Sequence, residues 1–314
     1  MKVLVTGANG FVGAALVQRL LADELVAEIV ATVRSSASDF PTGVECVVVG
    51  GIDESNDWRD ALTGCDVVIH LAARVHVMQE TTSDPLEEFR KVTVQGTLNL
   101  ARQAAADVRR FVFVSSVKVN GEATEPGRPF RADDAPVPLD AYGISKMEAE
   151  QGLRELSAQT GMEVVIIRPP LVYGPGVKAN FAAMMRWLKR GIPLPLGDIH
   201  NQRSLVALDN LVDLIVTCIT HPAAANQTFL VSDGEDVSTT ELLRRMGQAM
   251  GRPARLIPVP AGLLKLVAAV VGKPDVAQRL CGSLQVDIEK TRRLLGWMPP
   301  ISLDEGLRRA AGGA

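Results

Sequence analysis

The chain has 314 residues and a formal net charge of −3, with 47% of its residues hydrophobic and 22% charged. A chain of this length can bury a large core, either in one α/β domain or in two unequal lobes. The charge balance gives no argument for binding nucleic acid or an anionic membrane surface.

The cysteines and the N-terminus both favour a reducing, cytoplasmic location. The four cysteines lie far apart and form no CxxC pair, and free cysteines in apolar runs are usually small core residues. The N-terminus begins with Lys2 and a short apolar run, which is not the pattern of a signal peptide. The four histidines show no metal-ligand spacing.

The most apolar later segment, residues 261–271, is interrupted by Lys265. It is well short of the ~20 residues that a membrane span needs. We therefore expect no stable membrane insertion. A core or interface helix is expected here, and contact with a membrane surface or a partner is the alternative.

A glycine-rich turn follows the first predicted strand. The β-rich run 2–6 leads directly into Gly7, Gly10 and Gly13, and then into an apolar-periodic helix to about Leu21. Strand, glycine-rich turn and helix in this order open a dinucleotide-binding unit, because the helix N-terminus offers free N–H groups to a pyrophosphate. The candidate cofactor contacts of this turn are Gly7, Asn9, Gly10, Phe11, Val12 and Gly13.

The second predicted strand, residues 27–33, ends at Arg34. At this position an acid accepts from the ribose 2′-hydroxyl of NAD, whereas an Arg suits the 2′-phosphate of NADP. Arg34, with Ser35 and Ser36 beside it, therefore favours NADP, and NAD is the alternative.

The following segments continue the alternation of strand and helix. Strands are predicted at 46–49, 67–71 and 111–114, with a long helix over 84–106 between the last two. This order predicts an α/β fold of Rossmann type with a doubly wound parallel sheet. Further candidate cofactor contacts at the strand ends are Ile52, Leu71, Ala72, Ala73 and Pro169.

Two serines, Ser115 and Ser116, follow the strand 111–114. Open parallel sheets bind ligands beyond the carboxyl ends of their strands, so a Ser placed there can hydrogen-bond a reacting oxygen. Ser116 is the candidate catalytic residue, and Ser115 is its competitor.

The segment Tyr142-Gly-Ile-Ser-Lys146 lies on a predicted helix, with Asp140 as its N-cap and Gly161 as its end. Residues four apart share one face of a helix. We expect the ammonium of Lys146 to lower the pKa of Tyr142, so that Tyr142 can give or take a proton. An ordinary surface helix that carries a Tyr and a Lys is the alternative.

Four motifs in this order resemble the extended short-chain dehydrogenase/reductase family. They are Gly7-x-x-Gly10-x-x-Gly13, Ser116 at a strand end, Tyr142-x-x-x-Lys146 and the run Arg168-Pro169-Pro170-Leu171-Val172-Tyr173-Gly174-Pro175. The resemblance implies that the protein binds NAD(P), with Tyr142 and Lys146 beside the cofactor, and modifies a nucleotide-activated sugar. It also implies a homodimer that packs through the helices near 84–106 and 140–159, and a smaller C-terminal α/β lobe for the substrate.

Two further segments, 115–122 and 176–181, are similar to bacterial enzymes of surface polysaccharide synthesis. Those enzymes reduce UDP-4-keto-6-deoxy-N-acetylhexosamines at C4, which implies that Tyr142 protonates the C4 oxygen while Ser116 hydrogen-bonds it. A UDP-hexose or UDP-N-acetylhexosamine 4-epimerase is the alternative. A non-catalytic dinucleotide sensor is a third hypothesis, and the presence of Ser116 and of the Tyr142–Lys146 pair disfavours it.

Four positions depart from the pattern of better-known 4-epimerases. Asn120 stands in place of a Tyr, Thr93 and Leu171 in place of Asn, and Gly51 in place of an Asp. These differences favour a different reaction at C4 and leave epimerisation open.

The resemblance also implies the domain boundaries and the substrate contacts. Residues 1–168 form the expected nucleotide-binding domain, to which 203–232 return, and 169–202 with 233–314 form the substrate lobe. Arg203 matches the Arg that holds the sugar-nucleotide diphosphate in relatives, and its fork geometry suits that role. The other candidate substrate contacts are Lys118, Asn180 and Arg279.

Overall fold

Strands and helices alternate through most of the computed structural model, which describes residues 1–35, 40–74, 84–125, 127–177, 179–272 and 274–312. The strands are Lys2–Thr6 (β1), Glu28–Val33 (β2), Val44–Val48 (β3), Val67–His70 (β4), Arg110–Val114 (β5), Glu163–Arg168 (β6), Leu171–Tyr173 (β7), Arg203–Ala207 (β8), Thr228–Leu230 (β9) and Asp236–Val237 (β10). The α-helices are Phe11–Leu21 (α1), Arg59–Leu62 (α2), Pro85–Phe89 (α3), Thr97–Ala104 (α4), Ala141–Thr160 (α5), Ala179–Lys189 (α6), Leu208–Thr220 (α7), Thr239–Ala249 (α8), Ala261–Val270 (α9), Pro274–Cys281 (α10), Glu289–Leu295 (α11) and Leu303–Gly312 (α12).

The large sheet has seven strands in the order β3-β2-β1-β4-β5-β6-β9, and they pair in parallel. Its central strands are buried on both faces, which explains their continuous apolar runs. Helices α1 and α7 cover one face, and α4 and α5 cover the other. The predicted Rossmann-type doubly wound fold is confirmed. Its strand order reverses between β1 and β4, whose carboxyl ends therefore border the crevice in which such sheets bind ligands.

A small sheet of order β10-β8-β7 lies in a second core, to which α6, α8 and α12 contribute. The resemblance implied that residues 203–232 return to the nucleotide-binding domain. Strand β8, which opens this range, instead pairs with β7 and β10 in the small sheet. Helix α7 does pack on the large sheet, and β9 joins it. The division into two lobes remains a prediction, with β8 on the side of the smaller one.

Two predicted helices differ from expectation. The expected helix over 84–106 contains a π-helical segment, Arg90–Gly96, between α3 and α4. Gly96 is the last residue of that segment, and there the helix lies close to Ile52. A Cβ on Gly96 would lie 2.6 Å from Cγ2 of Ile52. Helix α9 has no fully buried residue and contacts the second core through the half-buried Ala261 and Leu264. The expectation of a core helix at 261–271 is therefore wrong, and that of an interface helix stays a prediction.

His70, the last residue of β4, is a buried polar link between β1 and α4. Its Nδ1 lies 2.8 Å from the hydroxyl of Thr6, and its Nε2 lies 3.0 Å from the hydroxyl of Thr97. The ring also stacks on Phe113 at a centroid distance of 5.8 Å. Burial, with a smaller effect of the Lys146 charge, lowers the pKa of His70 to about 3.

This pKa makes a prediction about stability against acid. In the unfolded chain His70 should take up a proton near pH ~6.5, whereas the folded chain resists protonation until about pH 3. The unfolded state therefore binds more protons in this window, and the free energy of unfolding should decrease as the pH falls through it. Urea unfolding between about pH 6.5 and about pH 4 should show a shallower decrease for His70→Gln than for the wild type. Parallel profiles for the two proteins would contradict the assignment.

Candidate active site

The glycine-rich turn after β1 has the backbone that a bound dinucleotide requires. Gly7 has a φ of +65°, which favours glycine. The N–H of Gly10 donates to the carbonyl of Gly7 at 2.9 Å and closes the turn. A Cβ at Gly13 would lie 2.2 Å from that same carbonyl oxygen, so only a glycine lets α1 approach the turn this closely.

The N-terminus of α1 lacks a capping side chain. Its N-cap is Gly10, and its first turn holds no acidic residue. The end of β4 lies beside this turn, because the N–H groups of Leu71 and Ala72 both donate to the hydroxyl of Thr6 at 3.2 Å. A Cβ at Gly7 would lie 3.0 Å from the nitrogen of Ala72. Uncapped N–H groups and a close-packed glycine turn fit the pyrophosphate of a dinucleotide.

The other candidate cofactor residues lie around the same carboxyl edge of the sheet. Phe11 and Val12 form the half-buried first turn of α1, and Asn9 precedes it. Arg34 is exposed directly after β2, whereas Ser36 lies outside the described residues. The remaining candidates are the half-buried Ile52 and Ala73 and the buried Pro169.

The two serines after β5 have different roles in the structure. Ser115 is buried, and its hydroxyl donates to Oε1 of Glu150 at 2.6 Å. Ser116 is half-buried, its hydroxyl accepts from the N–H of Lys118 at 3.2 Å, and its interaction with the Tyr142 hydroxyl acts to lower the pKa of that phenol. The geometry therefore favours Ser116 over Ser115 as the residue that contacts a reacting oxygen.

Helix α5 brings Tyr142 and Lys146 to the end of β5. Asp140 caps the helix by accepting from the N–H of Gly143 at 2.7 Å, and Gly161 ends it with a φ of +80°. The Nζ of Lys146 donates to the carbonyl of Val114 at 2.9 Å. The structure thus brings Ser116, Tyr142 and Lys146 together at the end of β5, and their catalytic roles stay a prediction.

The electrostatics of this pair differ from the expectation. Burial, together with the charge of Asp140, raises the pKa of Tyr142 to about 12, and the hydrogen bond with Ser116 acts in the opposite direction. Burial lowers the pKa of Lys146 to about 7. The Lys146 nitrogen lies 4.4 Å from the ring centroid of Phe113 and 6.0 Å from that of Tyr142. The expected lowering of the Tyr142 pKa is therefore wrong for this structure, because desolvation outweighs the attraction of a distant ammonium.

A buried ion pair next to the candidate catalytic residues was not predicted from the sequence. Glu150, one helical turn after Lys146, accepts from Nη2 of Arg168 at 2.6 Å and from its Nε at 2.9 Å. Arg168 also donates to Oδ1 of Asn120 at 3.0 Å. The spacing of 142, 146 and 150 was the available signal, since all three lie on one helix face. Through Ser115 and Asn120, this network connects α5 with the segments on either side of Ser116.

Two of the candidate substrate contacts have other partners or lie outside the described residues. Lys118 forms ion pairs with Asp140 and with Glu122, the latter at 3.2 Å. Asn180 belongs to the first turn of α6, and its side chain lies outside the described part of the chain. Thr93, one of the departures from the epimerase pattern, lies in the π-helical segment, and its buried hydroxyl has no hydrogen-bond partner among the described residues.

Arg203 and Arg279 are close to each other. The Nη1 of Arg203 donates to the carbonyl of Arg279 at 2.9 Å and to that of Gly282 at 3.1 Å. Burial lowers the pKa of the Arg203 guanidinium. Within the described residues no carboxylate forms an ion pair with it, and Asp209, beyond the other end of β8, pairs with Arg309 at 2.8 Å. A desolvated guanidinium without a counter-ion fits a phosphate ligand.

Comparison with known proteins identifies the family. The sequence profile of the NAD dependent epimerase/dehydratase family matches residues 3–232. The chain belongs to this family. The matched part includes Ser116, Tyr142 and Lys146, whose arrangement in this family member is the one described above.

Two relatives and one solved structure illustrate the similarity. The chain is 50% identical to a UDP-glucose 4-epimerase of Vibrio cholerae, over 99% of this chain and 94% of that protein. It is 27% identical to the N-acetyl-α-D-glucosaminyl-diphospho-ditrans,octacis-undecaprenol 4-epimerase of Escherichia coli O157:H7, over 98% of this chain and 93% of that protein. The crystal structure of a UDP-glucuronic acid 4-epimerase from Bacillus cereus with NAD superposes with a TM-score of 0.80 at 21% identity, covering 100% and 96% of the two chains.

The buried pair Glu150–Arg168 makes a prediction about stability. Glu150→Gln leaves the guanidinium of Arg168 buried without a counter-charge, so the free energy of unfolding should fall by about 3 kcal/mol. Glu148→Gln is a matched control on the same helix, since Glu148 pairs with Arg90 at the half-exposed surface. Urea unfolding should show a much smaller loss for Glu148→Gln. Equal losses for the two variants would contradict the role given to Glu150.

Proposed function

We propose that this protein interconverts the C4 epimers of a UDP-hexose or UDP-N-acetylhexosamine. The observation that carries the proposal is the 50% identity to a UDP-glucose 4-epimerase over 99% of the chain. The assembly of Ser116, Tyr142 and Lys146 at the end of β5 supports it, because oxidation and reduction at a sugar carbon need proton transfer at the attached oxygen.

The chemistry follows from what these side chains can do. A bound nicotinamide dinucleotide supplies the hydride acceptor and donor. Tyr142 takes the proton of the C4 hydroxyl and returns it after the 4-keto sugar has presented its other face. Ser116 hydrogen-bonds the same oxygen while charge develops on it. The first step requires the phenolate form of Tyr142, which the interaction with Ser116 favours because it acts to lower the phenol pKa.

The sequence alone favoured reduction of a UDP-4-keto-6-deoxy-N-acetylhexosamine, whereas the relatives favour the epimerase. One departure from the epimerase pattern carries no weight for the reaction, because Asn120 holds Arg168 and the carbonyl of Arg131 in a buried network. The reductase is the second candidate, and it is supported by the similarity of residues 115–122 and 176–181 to enzymes that reduce such 4-keto sugars.

For the substrate, we propose Arg203 and Arg279 as contacts of the diphosphate, with Lys118 and Asn180 nearer the sugar. The half-buried guanidinium of Arg203 supports this assignment. Lys118 would exchange its pairing with Asp140 for a substrate oxygen. We also propose a homodimer that packs through α3, α4 and α5 and a cytoplasmic location.

The experiment that tests the epimerase proposal measures product and cofactor together. Purified protein incubated with UDP-glucose, and separately with UDP-N-acetylglucosamine, should form the C4 epimer without net consumption of reduced cofactor. Steady cofactor consumption matched by a 4-hydroxy product from a UDP-4-keto-6-deoxy-N-acetylhexosamine, with no epimer formed from either UDP-sugar, would contradict it and establish the reductase.

Tyr142→Phe tests the proton-transfer role. Removing the phenol hydroxyl should lower turnover by about a hundredfold or more while leaving the affinity for the dinucleotide unchanged. Tyr173→Phe is the matched control, because Tyr173 is the only other Tyr in the chain and its hydroxyl donates to Asp233 at 2.7 Å in the core of the smaller lobe. That variant should lose stability and retain turnover. Undiminished turnover in Tyr142→Phe would show that another group transfers the proton.

We also propose that Arg34 contacts the adenosine ribose and favours NADP over NAD. Its exposed position directly after β2, on the carboxyl edge of the sheet, supports this role. Arg34→Ala should weaken NADPH binding by about tenfold or more, since a charge-assisted hydrogen bond to the 2′-phosphate is lost, and should change NADH binding little. Titration calorimetry with both cofactors gives the two dissociation constants. Equal losses would remove the argument for NADP.

A further inference from the structure

Helix α9 exposes an apolar stripe. Leu263, Leu266, Val267 and Val270 follow the spacing i, i+3, i+4 and i+7 and are 51%, 63%, 52% and 81% exposed. In a helix of a globular protein, this spacing normally marks the face that packs against the core. Here the stripe is turned outward, and an exposed apolar patch of this kind usually marks a contact surface.

The stripe is not needed to hold the helix in place. The opposite side of α9 packs through Ala261 and Leu264 against the core of the smaller lobe. Three more exposed apolar residues flank the helix in the sequence, namely Ile257, Val271 and Val276, which are 50%, 61% and 48% exposed. Selection for folding alone would therefore not require large apolar residues on the outer side.

The sequence on either side of the stripe carries mostly positive charge. Residues 249–282 contain five Lys or Arg and a single Asp, in a chain whose formal net charge is −3. Arg252, Arg255, Lys265 and Arg279 are exposed. In the part of the chain that the structure describes, none of these four side chains forms an ion pair, so their charges are available to an anionic partner.

Apolar side chains surrounded by unpaired cations are complementary to the surface of an anionic bilayer. The apolar stripe can enter the boundary between headgroups and acyl chains, while Lys and Arg remain with the lipid phosphates. A symmetric contact with a second copy of the chain would instead bring two such cationic segments together. None of the described helices is long and apolar enough to cross a bilayer.

We propose that α9 and its basic flanks dock this protein on an anionic phospholipid surface. The docking is peripheral, with the apolar stripe buried in the interface and the helix lying along it. The proposal rests on this surface alone and does not depend on the reaction at C4.

The docking surface lies next to the candidate substrate contacts. Helix α10 follows α9 directly, and the carbonyl of Arg279 in α10 accepts the hydrogen bond from Arg203. The expected phosphate contact is therefore one helix away from the proposed lipid surface. A sugar substrate carried by a lipid, or a product used at the membrane, would be handled at this end of the molecule.

The test is co-sedimentation of the full-length protein with vesicles. Vesicles of phosphatidylcholine with an equimolar share of phosphatidylglycerol should bind the wild type, and vesicles of phosphatidylcholine alone should bind it less. Leu266→Gln with Val270→Gln should lower the partition coefficient by about tenfold or more, because two exposed apolar side chains no longer enter the interface. Arg255→Glu with Lys265→Glu should weaken binding only to the anionic vesicles, and added salt should have the same effect.

A matched control keeps the test specific. Leu25→Gln with Met298→Gln removes two side chains of similar exposure, 62% and 60%, away from α9, and should leave vesicle binding unchanged. Thermal unfolding midpoints close to the wild type would show that every variant is folded. The proposal is wrong if the wild type stays in the supernatant with both kinds of vesicle, or if the control loses as much binding as the α9 variant. It is also wrong if the α9 variant changes only the oligomeric state, which would make α9 a contact between copies of the chain.

Discussion

The buried ion pair between Glu150 and Arg168 holds together the end of the sheet where the candidate catalytic residues lie. Glu150 comes from α5 and Arg168 from the end of β6, and the same carboxylate accepts from Ser115 after β5. A buried charge without its partner is strongly destabilising, so the three elements must meet in one arrangement. That arrangement determines where Ser116 lies relative to Tyr142.

The cationic groups that we propose as ligand contacts share a second property, which is that their positive charge is desolvated. Burial lowers the pKa of Lys146 to about 7 and also lowers that of the Arg203 guanidinium. The uncapped N-terminus of α1 adds the positive end of a helix dipole. Each of these groups gains from an anionic ligand, because a nearby negative charge favours the cationic form. Ligand binding and protonation of Lys146 are therefore coupled.

Local patterns predicted what local physics determines. The sequence predicted the strand, turn and helix around Gly7 to Gly13, and it predicted helix α5 with Asp140 and Gly161 at its ends. Both predictions were possible because caps and glycines act within a few residues. The raised pKa of Tyr142 could not be predicted from the sequence, because the burial that raises it depends on elements distant in the chain. The pair formed by Glu150 and Arg168 and the transfer of β8 to the small sheet were missed for the same reason. The sequence predicted a helix over the apolar segment 261–271, but the spacing of its apolar residues could not show that they face outward.

The central claim is that the site oxidises and reduces the same carbon of one bound sugar. The most direct test is an incubation with a UDP-sugar that carries deuterium at C4 and with unlabelled cofactor in excess. An epimerase returns the hydride to the carbon that lost it, so we predict a C4 epimer that retains its deuterium while the free cofactor stays unlabelled. Deuterium in the pool of free reduced cofactor would contradict the account. A UDP-sugar that folded protein leaves unchanged would contradict it as well.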